Sequence, residues 1–223
     1  VANFLGEGRM KLDPFKPTVV GECDGCGLCV EVCPRGAVSV KGFSPVIDLV
    51  SCNGCGACVS ACSTGVLRLP NYTREAILEE VRGLVEGAKD EVVVIGFYDD
   101  NISYTAADNA GTARIHSPTN MRIIRTPSTA ILDRDTILKS LGYGADGIMI
   151  CEVEGSHEEK LAEKLVDEVR GELERLGLEP ERVYLKPMVL PIFKVLPQFI
   201  DDFTDTIGKL GKIPEDKREK ILG

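Results

Sequence analysis

Apolar residues follow two regimes along the chain. From about residue 92 onward they form short continuous runs separated by stretches of helical period, while before residue 70 they occur in small clusters broken by cysteine, glycine and proline. The runs Val92-Val93-Val94-Ile95-Gly96-Phe97, Met121-Arg122-Ile123-Ile124-Arg125, Gly147-Ile148-Met149-Ile150-Cys151 and Arg182-Val183-Tyr184-Leu185 have the composition of strands buried on both faces. Helices are predicted over residues 104–114, 133–141, 157–176 and 194–209. The third has the clearest signature. Ser156 and Glu159 form a capping box, Leu161, Leu165, Val169, Leu173 and Leu176 make one apolar stripe, and Gly177 closes it. A further helix over 74–86 is predicted from Thr73 as N-cap, Glu75 in the first turn and Ile77, Val81, Leu84 and Val85 at helical spacing.

Strands alternating with helices give a parallel sheet covered on both faces. The expectation for residues 91–210 is therefore an α/β three-layer, flavodoxin-like parallel-sheet domain, with 211–223 as a C-terminal tail and the helix within 71–90 as a hinge. In such a sheet, ligands sit at the carboxyl ends of the strands, here residues 98–105, 126–130 and 152–157. None of these carries a phosphate-binding glycine loop, and Asp99 and Asp100 would repel a flavin phosphate.

The first 70 residues carry the chemistry. Eight of the nine cysteines fall in two copies of one spacing: Cys23, Cys26, Cys29 and Cys33 before Pro34, then Cys52, Cys55, Cys58 and Cys62 before Ser63. CxxCxxCxxxC is the bacterial ferredoxin run, and two copies predict two 4Fe-4S clusters, with the fourth cysteine of each run ligating the other cluster. One cluster is thus expected on Cys23, Cys26, Cys29 and Cys62, the other on Cys52, Cys55, Cys58 and Cys33. Gly25, Gly27, Gly54 and Gly56 let the loops turn and direct N–H groups at sulfur. Zinc is the competing reading, but its sites use paired ligands and have no need of a doubled triplet-plus-one. Residues 21–70 then form an α+β two-cluster ferredoxin domain, a pseudo-twofold repeat with strands 37–40 and 66–69, preceded by an extended arm over 1–20 that ends in a strand near Thr18.

Composition narrows the partners. With 26 basic and 35 acidic residues the formal charge is −9, which argues against nucleic acid. No apolar run approaches the roughly 20 residues of a membrane span, and clustered CxxC spacing is that of metal binding in a reducing cytoplasm rather than of disulfides.

Residues 91 to about 188 resemble the delta subunit of methyl-viologen-reducing hydrogenase through Ala110-Gly111, Arg114, Pro118, Asn120, Arg122-Ile123-Ile124-Arg125, Gly144-Ala145-Asp146-Gly147 and Glu179-Pro180-Glu181-Arg182. The cysteine region with its preceding GRMKLDPF is similar to the carboxyl-terminal region of the flavoprotein subunit of heterodisulfide reductase, and the whole arrangement resembles the end of the related subunit of quinone-interacting membrane-bound oxidoreductase. The hydrogenase family holds a 2Fe-2S cluster on cysteines after its first three strands. At the matching positions this chain has Asp99, Ile102 and Ser128, then only Cys151 and His157. Four thiolate or imidazole ligands are required, so the resemblance implies a domain that has lost its 2Fe-2S cluster and acts as a docking scaffold. A residual site of Asp99, Cys151 and His157 is the alternative; otherwise Cys151 is a small buried hydrophobe. The implied role is an electron-transfer subunit, with no bond chemistry of its own, between a flavoprotein of the heterodisulfide reductase type and a further redox subunit such as a hydrogenase or formate dehydrogenase. A flavin-binding reductase and a regulatory or assembly protein are the alternatives. Arg114, Arg122 and Arg125 are expected to be solvated or paired with Asp99, Asp100 or Asp108, and otherwise to face an acidic partner.

Overall fold

A computed structural model describes residues 16–88, 92–189 and 194–223; most of the predicted arm lies outside them. The cysteine region folds as two facing halves. Strand β1 (Thr18–Val19) pairs antiparallel with β4 (Leu67–Arg68), and β2 (Val38–Lys41) with β3 (Ser44–Ile47). Each half contributes one short helix, α1 (Leu28–Glu31) and α2 (Ala57–Ser60). Val38 and Leu67 meet the buried Cys29 and Cys58 between the halves, with Val40 and Ile47 packed alongside.

Helix α3 (Arg74–Glu86) follows, and the Thr73 hydroxyl accepts the Ala76 N–H at 3.2 Å as the cap pattern predicts. It is not a free hinge. Ile77 and Val81 are buried in the same apolar core as the sheet, together with Leu69, and Arg74 Nε donates to Asp133 at 2.9 Å. Burial of this face is what fixes the helix.

Strands β5 (Val94–Asp99), β6 (Met121–Thr126), β7 (Gly147–Val153) and β8 (Val183–Met188) form one parallel sheet in the order β6-β5-β7-β8. Alternate residues of β5 point to opposite faces, as strand geometry requires. Ile95 and Phe97 enter one core with α3, α5 (Arg134–Gly142) and α6 (His157–Arg175), whereas Val94 and Tyr98 enter a second with α4 (Ser103–Thr112) and α7 (Leu196–Leu210). Helices therefore cover both faces.

The ends of several elements differ from expectation. Residues 211–223 are not a loose tail: α8 (Glu215–Leu222) packs on α5 and seats Leu222 and Ile221 against Gly142. Strand β8 extends to Met188 and begins after a 3-10 turn, Pro180–Arg182, that includes the predicted strand residue Arg182. The buried stripe of α6 is Ala162, Val166, Val169 and Leu173, so Leu161 and Leu165 sit at its margin. Ser156 caps α6 by accepting the Glu159 N–H at 2.9 Å, but the Glu159 carboxylate reaches the Gly155 N–H at 2.5 Å instead of closing a box on Ser156. Among the described residues, no helix is long and apolar enough to cross a membrane.

Candidate metal centre

None of the eight cysteines of the two runs is in a disulfide. Helices α1 and α2 start at Gly27 and Gly56, which take left-handed backbone angles of φ 82° and 85°. That region is closed to most L-residues and open to glycine, and it lets each loop reverse so that the third cysteine of each run, Cys29 and Cys58, enters the core from a helical turn. Backbone N–H groups point at sulfur where the run predicts them: Gly25 donates to Cys23 Sγ and Ala37 to Cys33 Sγ, both at 3.3 Å. Each loop is braced by a side chain at the matching position, Asp24 accepting the Cys26 N–H at 3.1 Å and Asn53 the Cys55 N–H at 3.3 Å.

Thiols of the two runs act on one another across the halves. Burial pushes the Cys29 thiol up, and so do Cys23, Cys62 and Cys26. Burial pushes Cys58 up to about 12, reinforced by Cys55, Cys52, Cys33 and then Cys29. Cys55 is pushed up to about 11, chiefly by burial, with smaller contributions from Glu158, Cys33 and Cys52. Cys62 behaves differently. Burial raises it, but the Thr64 hydroxyl and the N–H groups of Leu67, Val66 and Gly65 stabilise its thiolate and bring it below the usual range. Without a cation the buried thiols would hold their protons at neutral pH, so loading a metal centre here must displace protons. The donor set, eight thiols with N–H groups aimed at sulfur and a shared apolar floor, fits iron–sulfur clusters. Among the described residues, no three His, Cys, Asp or Glu side chains converge as they would on one ion; cubane ligands each bind a separate iron.

The two runs differ in surroundings. Gly25, Cys26 and Leu28 are exposed, and Phe43 beside Gly25 is 75% exposed. The matching Gly54 and Ala57 are buried, where the loop after β6 covers the second run through Ile131 on Gly56 and Ala130 on Ser60. A polar cleft of about 520 Å³ lies between this run and the carboxyl ends of β5, β6 and β7, lined by Cys55, Tyr72, Asp100, Ser128, Glu152 and Glu158 among others. The strand ends therefore do border a site, and it includes the cysteine run.

The residues at the positions matched to hydrogenase cysteines are engaged elsewhere. Asp99 is fully buried and caps α4, its Oδ1 accepting the N–H groups of Asn101 and Ile102 at 2.9 Å and its Oδ2 that of Ser103 at 3.0 Å as well as the Ser103 hydroxyl. Ile102 packs into the α4 and α7 core. Ser128 caps the following 3-10 turn (Thr129–Ile131) and donates to Glu152. Cys151 is fully buried beside Tyr98, and burial drives its thiol far up. His157 is exposed in the first turn of α6. Of the three arginines, Arg125 pairs with Asp100 and stands over the Tyr104 ring, Arg114 is exposed at positive φ, and Arg122 keeps its Nε buried without a hydrogen-bond partner. Sequence reasoning missed Glu152. A carboxylate closing the apolar run Gly147–Cys151 was the available signal, since an acid in a buried strand needs partners.

Comparison with known proteins agrees with this anatomy. Residues 22–66 match the 4Fe-4S dicluster domain, and residues 94–211 match the methyl-viologen-reducing hydrogenase delta subunit. The chain is 34% identical to the A-type subunit of the ferredoxin:CoB-CoM heterodisulfide reductase of Methanosarcina mazei, over 98% of this chain and 28% of that protein, so it spans little more than a quarter of that relative. It is 37% identical to the D-type iron-sulfur subunit of the vhu F420-non-reducing hydrogenase of Methanopyrus kandleri over 42% of this chain and 75% of the relative. The corresponding protein of Methanocaldococcus jannaschii is 30% identical over 55% of this chain and 95% of its own length. With 4Fe-4S dicluster residues ahead of it and more than half its length matched, this chain belongs to the methyl-viologen-reducing hydrogenase delta subunit family.

Proposed function

We propose that the chain is an electron-transfer element of a heterodisulfide reductase or hydrogenase type assembly, holding two 4Fe-4S clusters in residues 21–70 and presenting residues 91–210 as a docking scaffold. One cluster is assigned to Cys23, Cys26, Cys29 and Cys62, the other to Cys52, Cys55, Cys58 and Cys33. The observation that carries this reading is the doubled run folded as two facing halves, in which Cys29, Cys58, Cys33 and Cys62 share one apolar floor with Val38 and Leu67. When bound, each cluster supplies one-electron transfer at a potential set by burial and by hydrogen bonds to sulfur. The chain's own residues hold the thiols, aim N–H groups at them and shield part of the second run.

The strand order β6-β5-β7-β8, with helices on both faces, supports a flavodoxin-like class for the sheet, which shares the 2-1-3-4 start of that fold. Loss of the 2Fe-2S cluster is supported by Asp99, whose carboxylate occupies the N–H groups at the start of α4, and by Ile102 in the apolar core. The same capping speaks against flavin phosphate at that helix. A flavoprotein and a second redox subunit are the proposed partners. Anaerobically purified protein is expected to contain about eight irons per chain, four per cubane, and a reduced EPR spectrum of two 4Fe-4S centres. Stoichiometric zinc, or about half that iron, would sink the assignment.

A further inference from the structure

The second cysteine run is held against the sheet by one short loop, residues 128–132, between β6 and α5. Ile131 lies directly on Gly56: a Cβ placed on that glycine would stand 2.7 Å from the Ile131 Cβ and 2.9 Å from its Cγ1. No larger residue fits at Gly56 while the loop keeps its place. Ser60, on the helix that carries Cys58, donates its hydroxyl to the Ala130 carbonyl at 2.7 Å. The loop is anchored from beneath by Glu152, which is 2% exposed. Glu152 Oε2 accepts the Ser128 hydroxyl at 2.9 Å and both the N–H and hydroxyl of Thr129 at 2.8 Å, while Oε1 accepts the Val153 N–H at 2.9 Å. A buried carboxylate is tolerated only when so satisfied, and its donors are held as firmly as it is.

We infer that this loop, with Ile131 as its wall and Glu152 as its anchor, covers the Gly56 to Cys58 side of the second cysteine run, leaving it more shielded than the first, and thereby sets the reduction potential of that cluster apart from the first. The inference rests on the two-cluster reading. Nothing comparable covers the first run among the described residues, where Gly25, Cys26 and Leu28 are exposed. A cluster held by four thiolates becomes more negative on accepting an electron, and burial disfavours the more highly charged form. Shielding therefore lowers the potential of the second cluster, and admitting water raises it. Neither Ile131 nor Glu152 is a thiol ligand; both act through the loop.

The test is a redox titration of the full chain, followed by EPR, in wild type and in variants. Ile131→Ala opens the wall without changing charge. The expected result is an upward shift of one of the two midpoint potentials, no shift of the other, and an unchanged iron content of about eight per chain. Ile131→Leu conserves side-chain volume and should restore the wild-type value. Glu152→Gln, which cannot accept from all four donors, should shift the same potential upward. If Ile131→Ala does not fold, Ser60→Ala removes the hydrogen bond to the loop together with a local one to the Ala57 carbonyl and should give a smaller shift of the same potential. Two potentials that move together, or neither moving, would overturn the inference. A wild type with one reduction step and about four irons would instead refute the two-cluster reading, which separates the two failures.

Discussion

Replacing Cys62 by Ser is expected to abolish the cluster of Cys23, Cys26 and Cys29 and to leave the cluster of the run to which Cys62 itself belongs. Iron should fall from about eight to about four per chain, and the EPR signal that survives should be the one removed by Cys33→Ser. The physical basis is the facing of the two halves. Cys33 and Cys62, the fourth cysteines, both pack on the floor made by Val38, Leu67, Cys29 and Cys58. Burial and then Cys23, Cys62 and Cys26 raise the Cys29 thiol, in keeping with the proposed assignment of Cys62 to that set. Cys62 is also prepared as a thiolate by the Thr64 hydroxyl and the N–H groups of residues 65–67. A serine keeps the size of the side chain but not its affinity for iron. Retention of the first-run signal in Cys62→Ser, with loss of the Ile131-sensitive one, would show that each run ligates its own cluster.

How much of this was legible beforehand depends on whether the physics was local. The cysteine spacing is local, because three thiols within one loop and a fourth on the next turn are fixed by chain geometry. The four buried strands are also local in this sense, since continuous apolar runs such as residues 147–151 fit few other settings. The Thr73 and Ser156 caps read correctly for the same reason. What escaped was set by distant contacts. Nothing near residues 74–86 says that the face of α3 is shared with Phe97 and Ile137. Nothing near Gly56 says that Ile131 must lie on it. Glu152 could be suspected as a buried acid, but its partners Ser128 and Thr129 are known only once β6 and β7 are brought to the same end of the sheet. The last helix is the clearest case. Glu-Asp-Lys-Arg-Glu-Lys has no apolar stripe, and α8 is held by a buried arginine together with Ile221 and Leu222 at its end.

Arg218→Met is accordingly expected to cause the largest loss of stability of any change outside the cysteines, about 3–5 kcal/mol by the usual cost of breaking a buried ion pair from one side. Arg218 is 7% exposed, yet its guanidinium is almost fully used. Nη2 donates to Asp146 Oδ1 at 2.5 Å, Nη1 to the carbonyls of Ala145 at 2.9 Å and of Leu141, and Nε to the Ile213 carbonyl at 3.2 Å. Asp146 in turn accepts the N–H groups of Val93 at 3.0 Å and Ile213 at 2.9 Å, so the pair ties the start of β5 and the segment before α8 to the turn between α5 and β7. Methionine fills much of the volume but leaves three carbonyls short of donors and the carboxylate with two N–H partners and no cation. For a chain of this size the thermal midpoint should fall by about 10 °C, read as loss of helical signal. Because the network lies at the amino-terminal end of the sheet, away from the strand ends that meet the second cysteine run, protein that remains folded should keep about eight irons. Adding Asp146→Asn to Arg218→Met removes the stranded charge and should recover part of the loss; a double variant less stable than Arg218→Met would mean that Asp146 stabilises this turn without its arginine.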